Sequence, residues 1–309
     1  MRRLLVITNA AAGSAGEASV AAAVEVLRRA AEVEVVATED LDDLREALSR
    51  RGSRTVVAAG GDGSLHALVQ ALDDLDDLGR DGRAAPTLGL LPLGTGNDLS
   101  RTLGLPLDPE EAAAVIVAGR PVGVDVIRDD AGGLVVNVAH IGVGAEAGKQ
   151  ARPWKERFGR FGLGVLGYAV GGIRATLTSP GWRLRVVADG RTVVSGRRRV
   201  LQVAVANGRT IGGGAEIAPA SGVSDGLADV EISYATGWFA RLRYSLAMRR
   251  GRHHERDDVV HLEAREITVR ARRGTFTVNT DGELSVPVQA RTWRVESGAY
   301  RMLVPATSD

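Results

Sequence analysis

The stretch from Thr55 to Leu72 reads TVVAAGGDGSLHALVQAL and decides the fold. Thr55–Ala59 is a short run of β-branched and small residues, which predicts a strand, and the spacing of apolar residues in Ser64–Leu72 predicts a helix. The glycine-rich turn Gly60–Ser64 lies between them. A strand, a tight turn and a helix in this order are typical of a parallel sheet with helical crossovers.

The same alternation continues on both sides of this stretch, with strands predicted at Leu4–Thr8, Val33–Ala37 and Thr87–Leu91 and helices at Ala18–Ala31 and Leu41–Arg50. After Arg120 the pattern changes to many short strands with few helices. Because 309 residues exceed the usual size of one hydrophobic core, we expect two domains. They are an α/β domain at residues 1–120 and a largely antiparallel β-sandwich at residues 121–309, whose last strand is free to return to the first domain.

The overall charge is balanced, with 39 Lys and Arg residues against 38 Asp and Glu residues, which argues against a nucleic-acid partner. The absence of cysteine excludes disulfides and thiolate chemistry and fits a cytoplasmic protein. Charge-free stretches such as Phe161–Ile173 are well short of the roughly 20 residues that cross a bilayer. Any membrane contact is therefore expected to be peripheral, at the inner face of the membrane.

Three glycine-rich turns follow predicted parallel strands: Asn9–Gly16 (NAAAGSAG), Gly60–Ser64 (GGDGS) and Leu93–Asp98 (LGTGND). Open α/β sheets bind ligands at the carboxyl ends of their strands. Glycine allows backbone N–H groups to approach an anion, and the start of a following helix adds a positive dipole end. Each turn is thus a candidate phosphate cradle, although turn geometry alone also explains glycine in any single loop.

The better-known nucleotide signatures are absent. The nearest approach to a P-loop, Gly144–Gln150 (GAEAGKQ), has the wrong spacing and lacks a hydroxyl after the lysine. The dinucleotide pattern G-x-G-x-x-G fails at its third glycine, where His66 and Leu99 stand. A P-loop is excluded and a Rossmann dinucleotide site is disfavoured.

The turn Gly60–Ser64 resembles the GGDGT signature of the diacylglycerol kinase catalytic-domain superfamily, which includes sphingosine and ceramide kinases. Leu91–Asp98 (LPLGTGND) is similar to the second motif of that superfamily, P-x-G-T-x-N-D. Its later blocks follow in the same order, at Asn207–Arg209 (NGR), Gly212–Gly214 (GGG), Ile217–Pro219 (IAP), Ser224–Leu227 (SDGL) and Asp281–Glu283 (DGE).

This resemblance implies a three-layer α/β domain of the NAD kinase and phosphofructokinase type, followed by a β-sandwich. It implies an ATP-dependent lipid kinase whose acceptor is most simply diacylglycerol, giving phosphatidic acid, with the lipid substrate met at the membrane surface. A homodimer is left open. The residues implied to contact the nucleotide are Asn9, Thr38, Gly60, Gly61, Asp62, Gly63, Ser64, Gly94, Thr95, Asn97 and Asp98.

The same resemblance implies that Glu283 and its neighbour Asp281 accept the proton of the lipid hydroxyl, with Asp62 also in the catalytic set. It implies a Mg²⁺ site that uses the Asp225 carboxylate with main-chain oxygens around Gly222 and Leu227. Carboxylate oxygens are ligands that Mg²⁺ prefers, and a carboxylate in a cleft can act as a general base.

Two positions depart from the family pattern. Ser64 replaces the usual Thr of GGDGT, and His66-Ala67 replaces the Asn-Glu pair that often follows. A kinase of a soluble substrate such as NAD kinase, which shares the GGDG motif, is one alternative, although Gly94–Asp98 and Ser224–Leu227 fit the lipid kinases better. The missing carboxylate at Ala67 leaves a second alternative open, a catalytically weak nucleotide-binding regulator. The sequence does not choose among diacylglycerol, sphingoid bases, glycolipid precursors and polyprenols as acceptor.

Two further segments have alternative interpretations. The spacing of His253, His254 and His261 fits no standard metal motif, so the Arg-rich run Arg249–Arg256 is interpreted as a solvated loop, or as a contact for anionic headgroups. The Gly-studded apolar stretch Phe158–Ile173 predicts a helix that packs in the core or faces lipid.

Overall fold

The structure is a computed structural model that describes residues 2–10, 14–80, 82–143, 145, 180–218, 221–248 and 251–306. The chain forms two compact units. The first contains Met1–Val126, Val223–Asp225 and Glu296–Asp309, and the second contains Ile127–Gly222 and Gly226–Val295. The sequence placed the boundary at residue 120, whereas the chain passes between the units within strand β5 (Arg120–Asp129).

Parallel strands form the sheet of the first unit, in the order β2-β1-β3-β4. The second half of the last strand, β18, runs parallel to β4, with Arg301 opposite Thr87. The bounds of these strands are β1 (Arg2–Asn9), β2 (Ala31–Thr38), β3 (Thr55–Gly60), β4 (Thr87–Pro92) and β18 (Ala290–Val304).

Helices cover both faces of this sheet. Leu4 and Val6 pack in one core with residues of α1 and α5. Alternation along β1 turns the buried side chains of Leu5 and Ile7 to the opposite face, where α2 packs on α3. The predicted three-layer α/β architecture is confirmed. The helices are α1 (Ser14–Arg28), α2 (Leu41–Ser49), α3 (Asp62–Asp74), α4 (Asp98–Thr102) and α5 (Pro109–Ala118).

The described residues of the second unit form two large antiparallel sheets. In the first, β15 (Glu266–Ala271) pairs with β8 (Leu184–Ala188) and with the first half of β18, and β9 (Arg191–Ser195) pairs with β8. The second sheet has the order β14-β13-β10-β7-β16-β17. Its strands are β7 (Val138–Gly142), β10 (Gln202–Ala206), β13 (Ala228–Ser233), β14 (Val259–Ala264), β16 (Val278–Thr280) and β17 (Glu283–Leu284). Three two-residue strands complete the unit: β6 (Leu134–Val135), which pairs with β5, and the hairpin β11 (Thr210–Ile211) and β12 (Ala215–Glu216).

One hydrophobic core joins these two sheets. Val186, Ile267 and Trp293 of the first sheet share it with Val203 and Ile232 of the second, all of them buried. Burial of such side chains is the main term that stabilises a sandwich. The predicted β-sandwich is therefore confirmed.

The sequence missed a helix on the second sheet. Helix α6 (Trp238–Met248) and a short 3₁₀ helix (His253–Glu255) follow β13. Tyr244 and Met248 of α6 pack into small cores beneath it. The helix therefore covers the face of the second sheet that is turned away from the sandwich core.

None of the helices among the described residues is both long and apolar enough to cross a membrane. The apolar stretch at residues 158–173 lies outside the described residues.

Candidate active site

The turns after β3 and β4 are bonded to each other in the first unit. The Leu93 N–H donates to the Gly60 carbonyl at 3.0 Å. The Leu99 N–H donates to Oδ1 of Asp62 at 3.1 Å. The two predicted motifs thus form one structure at the carboxyl edge of the sheet.

Glycine is required where the two turns meet. A Cβ atom on Gly61 would lie 2.9 Å from Cα of Gly94, and one on Gly94 would lie 2.6 Å from Cα of Gly61. A Cβ atom on Gly60 would lie 2.2 Å from Oγ of Ser64. These separations leave no room for any side chain, so the GGDG signature has a packing role whatever it binds.

Asn97 closes the second turn. It has a left-handed backbone with φ of 50°, and its side-chain Oδ1 accepts from the Gly94 N–H at 3.0 Å. Its Nδ2 donates to the Gly94 carbonyl at 2.8 Å. Asn97 and Asp98 are buried, whereas Thr95 is exposed at the tip of the turn. Of these predicted contacts, Thr95 is the one open to solvent.

The start of α3 presents unused donors. Gly61 precedes the helix without a side-chain cap, and the N–H groups of Asp62 and Gly63 find no acceptor among the described residues. Gly63 is exposed, and a Cβ atom there would meet nothing within 4 Å. Free N–H groups and a positive helix end fit the binding of a phosphate group.

Asn9 and Thr38 lie side by side at the same edge of this sheet, as partners in the β1–β2 ladder. Thr38 is buried and donates its hydroxyl to the Thr8 carbonyl at 3.3 Å. Its own carbonyl accepts from the Ala10 N–H at 3.1 Å. Asn9 is exposed, so it is the more accessible of the two predicted contacts.

In the second unit, Asp281 binds backbone. Oδ1 accepts from the N–H groups of Asn137 at 3.0 Å and Val138 at 2.8 Å. Oδ2 accepts from the Val136 N–H at 2.7 Å. Asp281 also has a left-handed backbone, with φ of 50°. Its carboxylate therefore ties the turn between β16 and β17 to the start of β7.

Glu283 lies opposite Thr280 in this hairpin and is exposed. Its carboxylate makes no hydrogen bond or ion pair with the described residues. Of the two carboxylates predicted to take a proton, Glu283 is the one open to a ligand.

His140 is a functional candidate that the sequence reasoning missed. It is buried on β7 opposite Asn279, and burial lowers its pKa to about 4 against the opposing charge of Asp281. Its Nδ1 has no hydrogen-bond partner among the described residues. A single histidine on a strand gives no signal of this kind until the strand pairing is known.

The predicted metal ligand Asp225 is exposed in a turn, and the carbonyl of Val223 nearby accepts from the Asp125 N–H at 2.7 Å. Among the described residues, the group of three side chains close enough to share a metal is instead Asp229, His261 and Glu263. His261 Nε2 lies 3.1 Å from Oδ1 of Asp229, and hydrogen bonding to that carboxylate raises the pKa of His261 despite partial burial.

The interpretation of the Arg/His run as a solvated loop is wrong for His253. This side chain is fully buried, with Nε2 at 2.5 Å from Oε2 of Glu231 and at 3.1 Å from the Ile217 carbonyl. Burial opposes the charged form, but the Glu231 carboxylate outweighs it and raises the pKa of His253. His254 is exposed, as the sequence suggested.

Each of the two units matches a known protein family. Residues 3–128 match the diacylglycerol kinase catalytic domain. Residues 137–304 match the YegS C-terminal NAD kinase beta sandwich-like domain. The two matches together cover most of the chain, in the order that the motifs predicted.

Among curated proteins, a probable lipid kinase YegS-like of Stenotrophomonas maltophilia (strain K279a) is 31% identical over 279 residues, which is 82% of this chain and 80% of that protein. A protein of the same description from Enterobacter sp. (strain 638) is 26% identical over 249 residues, 79% of this chain and 75% of the relative. The crystal structure of a diacylglycerol kinase from Bacillus anthracis str. Sterne shares the fold, with a TM-score of 0.71, 21% identity and coverage of 98% of this chain and 96% of that one. The chain therefore belongs to the bacterial lipid kinase family in which a diacylglycerol kinase catalytic domain precedes a YegS-type β-sandwich domain.

Proposed function

We propose that this lipid kinase transfers the γ-phosphoryl group of ATP to the hydroxyl of diacylglycerol and so produces phosphatidic acid. The observation that carries the proposal is the bonded pair of turns, in which Asp62 bridges the GGDG and GTGND motifs. The name of the Bacillus anthracis structural neighbour, a diacylglycerol kinase, supports this acceptor. Phosphoryl transfer asks a protein mainly for positioning and charge stabilisation, which suits a rigid pair of turns.

In this proposal the N–H groups of Asp62 and Gly63 and the hydroxyls of Ser64 and Thr95 hold the phosphates. Asn97 and Thr38 act indirectly, because their side chains already bond backbone groups, those of Gly94 for Asn97 and that of Thr8 in β1 for Thr38. The remaining predicted contacts surround this edge, at Asn9, Gly60, Gly61, Gly94 and Asp98.

Glu283 is the proposed general base. The acceptor oxygen forms a bond to the γ-phosphorus as the bond from that phosphorus to the β–γ bridging oxygen breaks. ADP leaves, and the proton of the hydroxyl goes to the Glu283 carboxylate. Asp281 positions the turn, since its oxygens are bonded to three backbone N–H groups.

For Mg²⁺ we propose the predicted site at Asp225, with main-chain oxygens of Gly222 and Leu227. An exposed carboxylate at a glycine-containing turn, together with carbonyl oxygens, is a donor set that suits this ion. Thermal denaturation with and without Mg²⁺ tests it: Mg²⁺ should raise the melting temperature of the wild type but not of Asp225→Ala. Asp257→Ala, which removes another exposed carboxylate, should respond like the wild type. A wild-type melting temperature that is the same with and without Mg²⁺ would exclude the site.

The acceptor is tested by incubating the protein with γ-labelled ATP and a total bacterial lipid extract, and then identifying the labelled product by mass spectrometry. Phosphatidic acid is the expected product. Label on a sphingoid base, a polyprenol or a glycolipid would replace diacylglycerol as the acceptor. A parallel incubation with NAD in place of the lipid extract tests for a soluble substrate, and labelled NAD would point to one. Asp62→Ala supplies the blank.

Because diacylglycerol resides in membranes, the proposed reaction takes place at a lipid surface. A surface of the second unit fits that requirement.

A further inference from the structure

Helix α6 carries an unusual outer face. Trp238, Phe239, Leu242 and Leu246 are 61%, 65%, 49% and 47% exposed. Nine large hydrophobic side chains are exposed in the described part of the chain, and these four share a single helix of 11 residues. Scattered exposed apolar residues are normal, but a contiguous patch marks an interaction surface.

These four side chains are exposed although α6 packs firmly against the sheet beneath it. On the opposite side of α6, Tyr244 is buried and donates to Oε1 of Glu231 at 2.5 Å, while Gln202 donates to the Tyr244 hydroxyl at 2.6 Å. Arg241 is buried on the same side. The inner face is thus fixed to β10 and β13, and the apolar outer face is presented by a firmly held helix.

The surroundings of this face are basic. Residues 238–256 contain six arginines and a single acid, Glu255, in a chain whose net charge is only +1. An open groove of about 330 Å³ beside the helix is lined by Leu246 together with Arg243, Arg252 and Arg256. Arg252 pairs with Glu255 and Arg256 with Asp258, whereas Arg243 is exposed and pairs with no carboxylate among the described residues.

We propose that the outer face of α6 docks this kinase on a membrane that contains anionic lipid. A helix that lies in the interfacial plane combines aromatic and leucine side chains on one face with arginines beside them. Trp238 and Phe239, whose rings are 3.8 Å apart, enter the headgroup boundary, and Arg243 meets lipid phosphates. The inference rests on the proposed function, because a membrane-borne acceptor is what requires this kinase to dock on a membrane.

Vesicle flotation of the full chain without ATP tests the surface. The wild type should bind vesicles of phosphatidylcholine and phosphatidylglycerol, bind phosphatidylcholine alone much more weakly, and release at high salt. Trp238→Ser/Phe239→Ser should lower the partition coefficient about tenfold or more, because each aromatic side chain loses its apolar burial. Arg243→Glu should lower it about fivefold or more on anionic vesicles only.

Matched controls are Val286→Ser, which removes an apolar side chain that is 75% exposed elsewhere in the second unit, and Arg270→Glu, which reverses another exposed arginine. Both should bind vesicles like the wild type, and melting curves verify folding of every variant. Unchanged binding by Trp238→Ser/Phe239→Ser, or equal binding to both vesicle types, overturns the proposal. So does a dimer that this double variant converts to a monomer, because a second copy would then cover the face.

Phosphorylation of a short-chain, water-soluble diacylglycerol is measured in parallel and should be unaffected by the double variant. If wild-type binding depends on α6 but no diacylglycerol is phosphorylated, the docking surface stands and the proposed reaction falls. If diacylglycerol is phosphorylated but vesicle binding does not depend on α6, the proposed reaction stands and the docking surface falls.

Discussion

The carboxylate of Asp62 accepts a hydrogen bond from the backbone N–H of Leu99, 37 positions later in the chain. Asp62 is the first residue of α3, and Leu99 lies in the first turn of α4. One short side chain therefore fixes the starts of two helices relative to each other, next to the donors that we assign to phosphate.

Asp62→Ala should abolish phosphoryl transfer and lower the stability by about 1 kcal/mol, since one hydrogen bond is lost. Asp62→Asn separates the structural role of this side chain, its hydrogen bond from Leu99, from a catalytic role of its negative charge. The amide oxygen of Asn can still accept from the Leu99 N–H, whereas the charge is gone. We expect the Asn variant to melt like the wild type and to remain inactive. Wild-type turnover by Asp62→Asn would show that Asp62 has only a structural role, the hydrogen bond that joins the two turns.

Gly61→Ala should destabilise the first unit by about 1–3 kcal/mol and weaken ATP binding, because the new Cβ atom would overlap the backbone of Gly94. Gly63→Ala is the matched change, with open space around its Cβ and a helical position that favours alanine. It should melt at the wild-type temperature or above. Denaturation midpoints and calorimetric ATP titrations measure both effects, and equal destabilisation by the two variants would contradict the packing argument.

Glu283→Gln should reduce kcat by about 10²–10⁴-fold while the affinity for ATP and the melting temperature stay near wild type, as removal of a general base predicts. Steady-state kinetics with saturating lipid measure kcat, and ATP titration measures affinity. A loss confined to ATP binding would make this turn a nucleotide or metal contact. An unchanged kcat would exclude Glu283 as the base.

Asp281→Ala should behave differently from Glu283→Gln. Three backbone N–H groups lose their acceptor, so we expect a destabilisation of about 2 kcal/mol or more in urea denaturation. The accompanying loss of activity should follow from the displaced turn. A variant that is inactive but as stable as the wild type would place Asp281 in the chemistry instead.

His140 should make the protein less stable in mild acid. Its folded pKa of about 4 lies below the ordinary value of 6.5, so between these values the unfolded chain binds a proton that the folded chain does not. This contribution to stability is complete above pH 6.5 and is lost as the pH falls toward 4. His140→Gln should therefore lose less unfolding free energy than the wild type across that range, and His254→Gln, at an exposed position, should follow the wild type. Parallel curves for His140→Gln and the wild type would contradict the assignment.

The α/β unit was predictable because its strands and helices repeat a strong local pattern. Glycine turns at strand ends also predicted that Gly61 and Gly94 would lie at one sheet edge. The hydrogen bond from Leu99 was not predictable, since a backbone N–H carries no mark in the sequence. The same holds for Asp281, whose partners lie more than 140 positions away.

Helix α6 was missed for a different reason. Its apolar residues occur on two faces, so the sequence shows no single amphipathic stripe. Its arginines lead directly into the run Arg249–Arg256, whose composition favours a solvated loop. Gly196, with φ of 77°, turns the chain between β9 and β10, so this apolar stretch forms two strands and not one. Glu231 of β13 is buried, and the Tyr244 hydroxyl of α6 donates to it.

Strand β18 has a consequence for synthesis. Its second half completes the parallel sheet that β1 begins, although almost the whole chain separates them. During synthesis, therefore, all residues of the second unit leave the ribosome before the last strand of the first unit does. The first unit cannot complete its sheet until the residues of the second unit have been synthesised, so a shortened chain that stops before Glu296 should have an unpaired edge on β4.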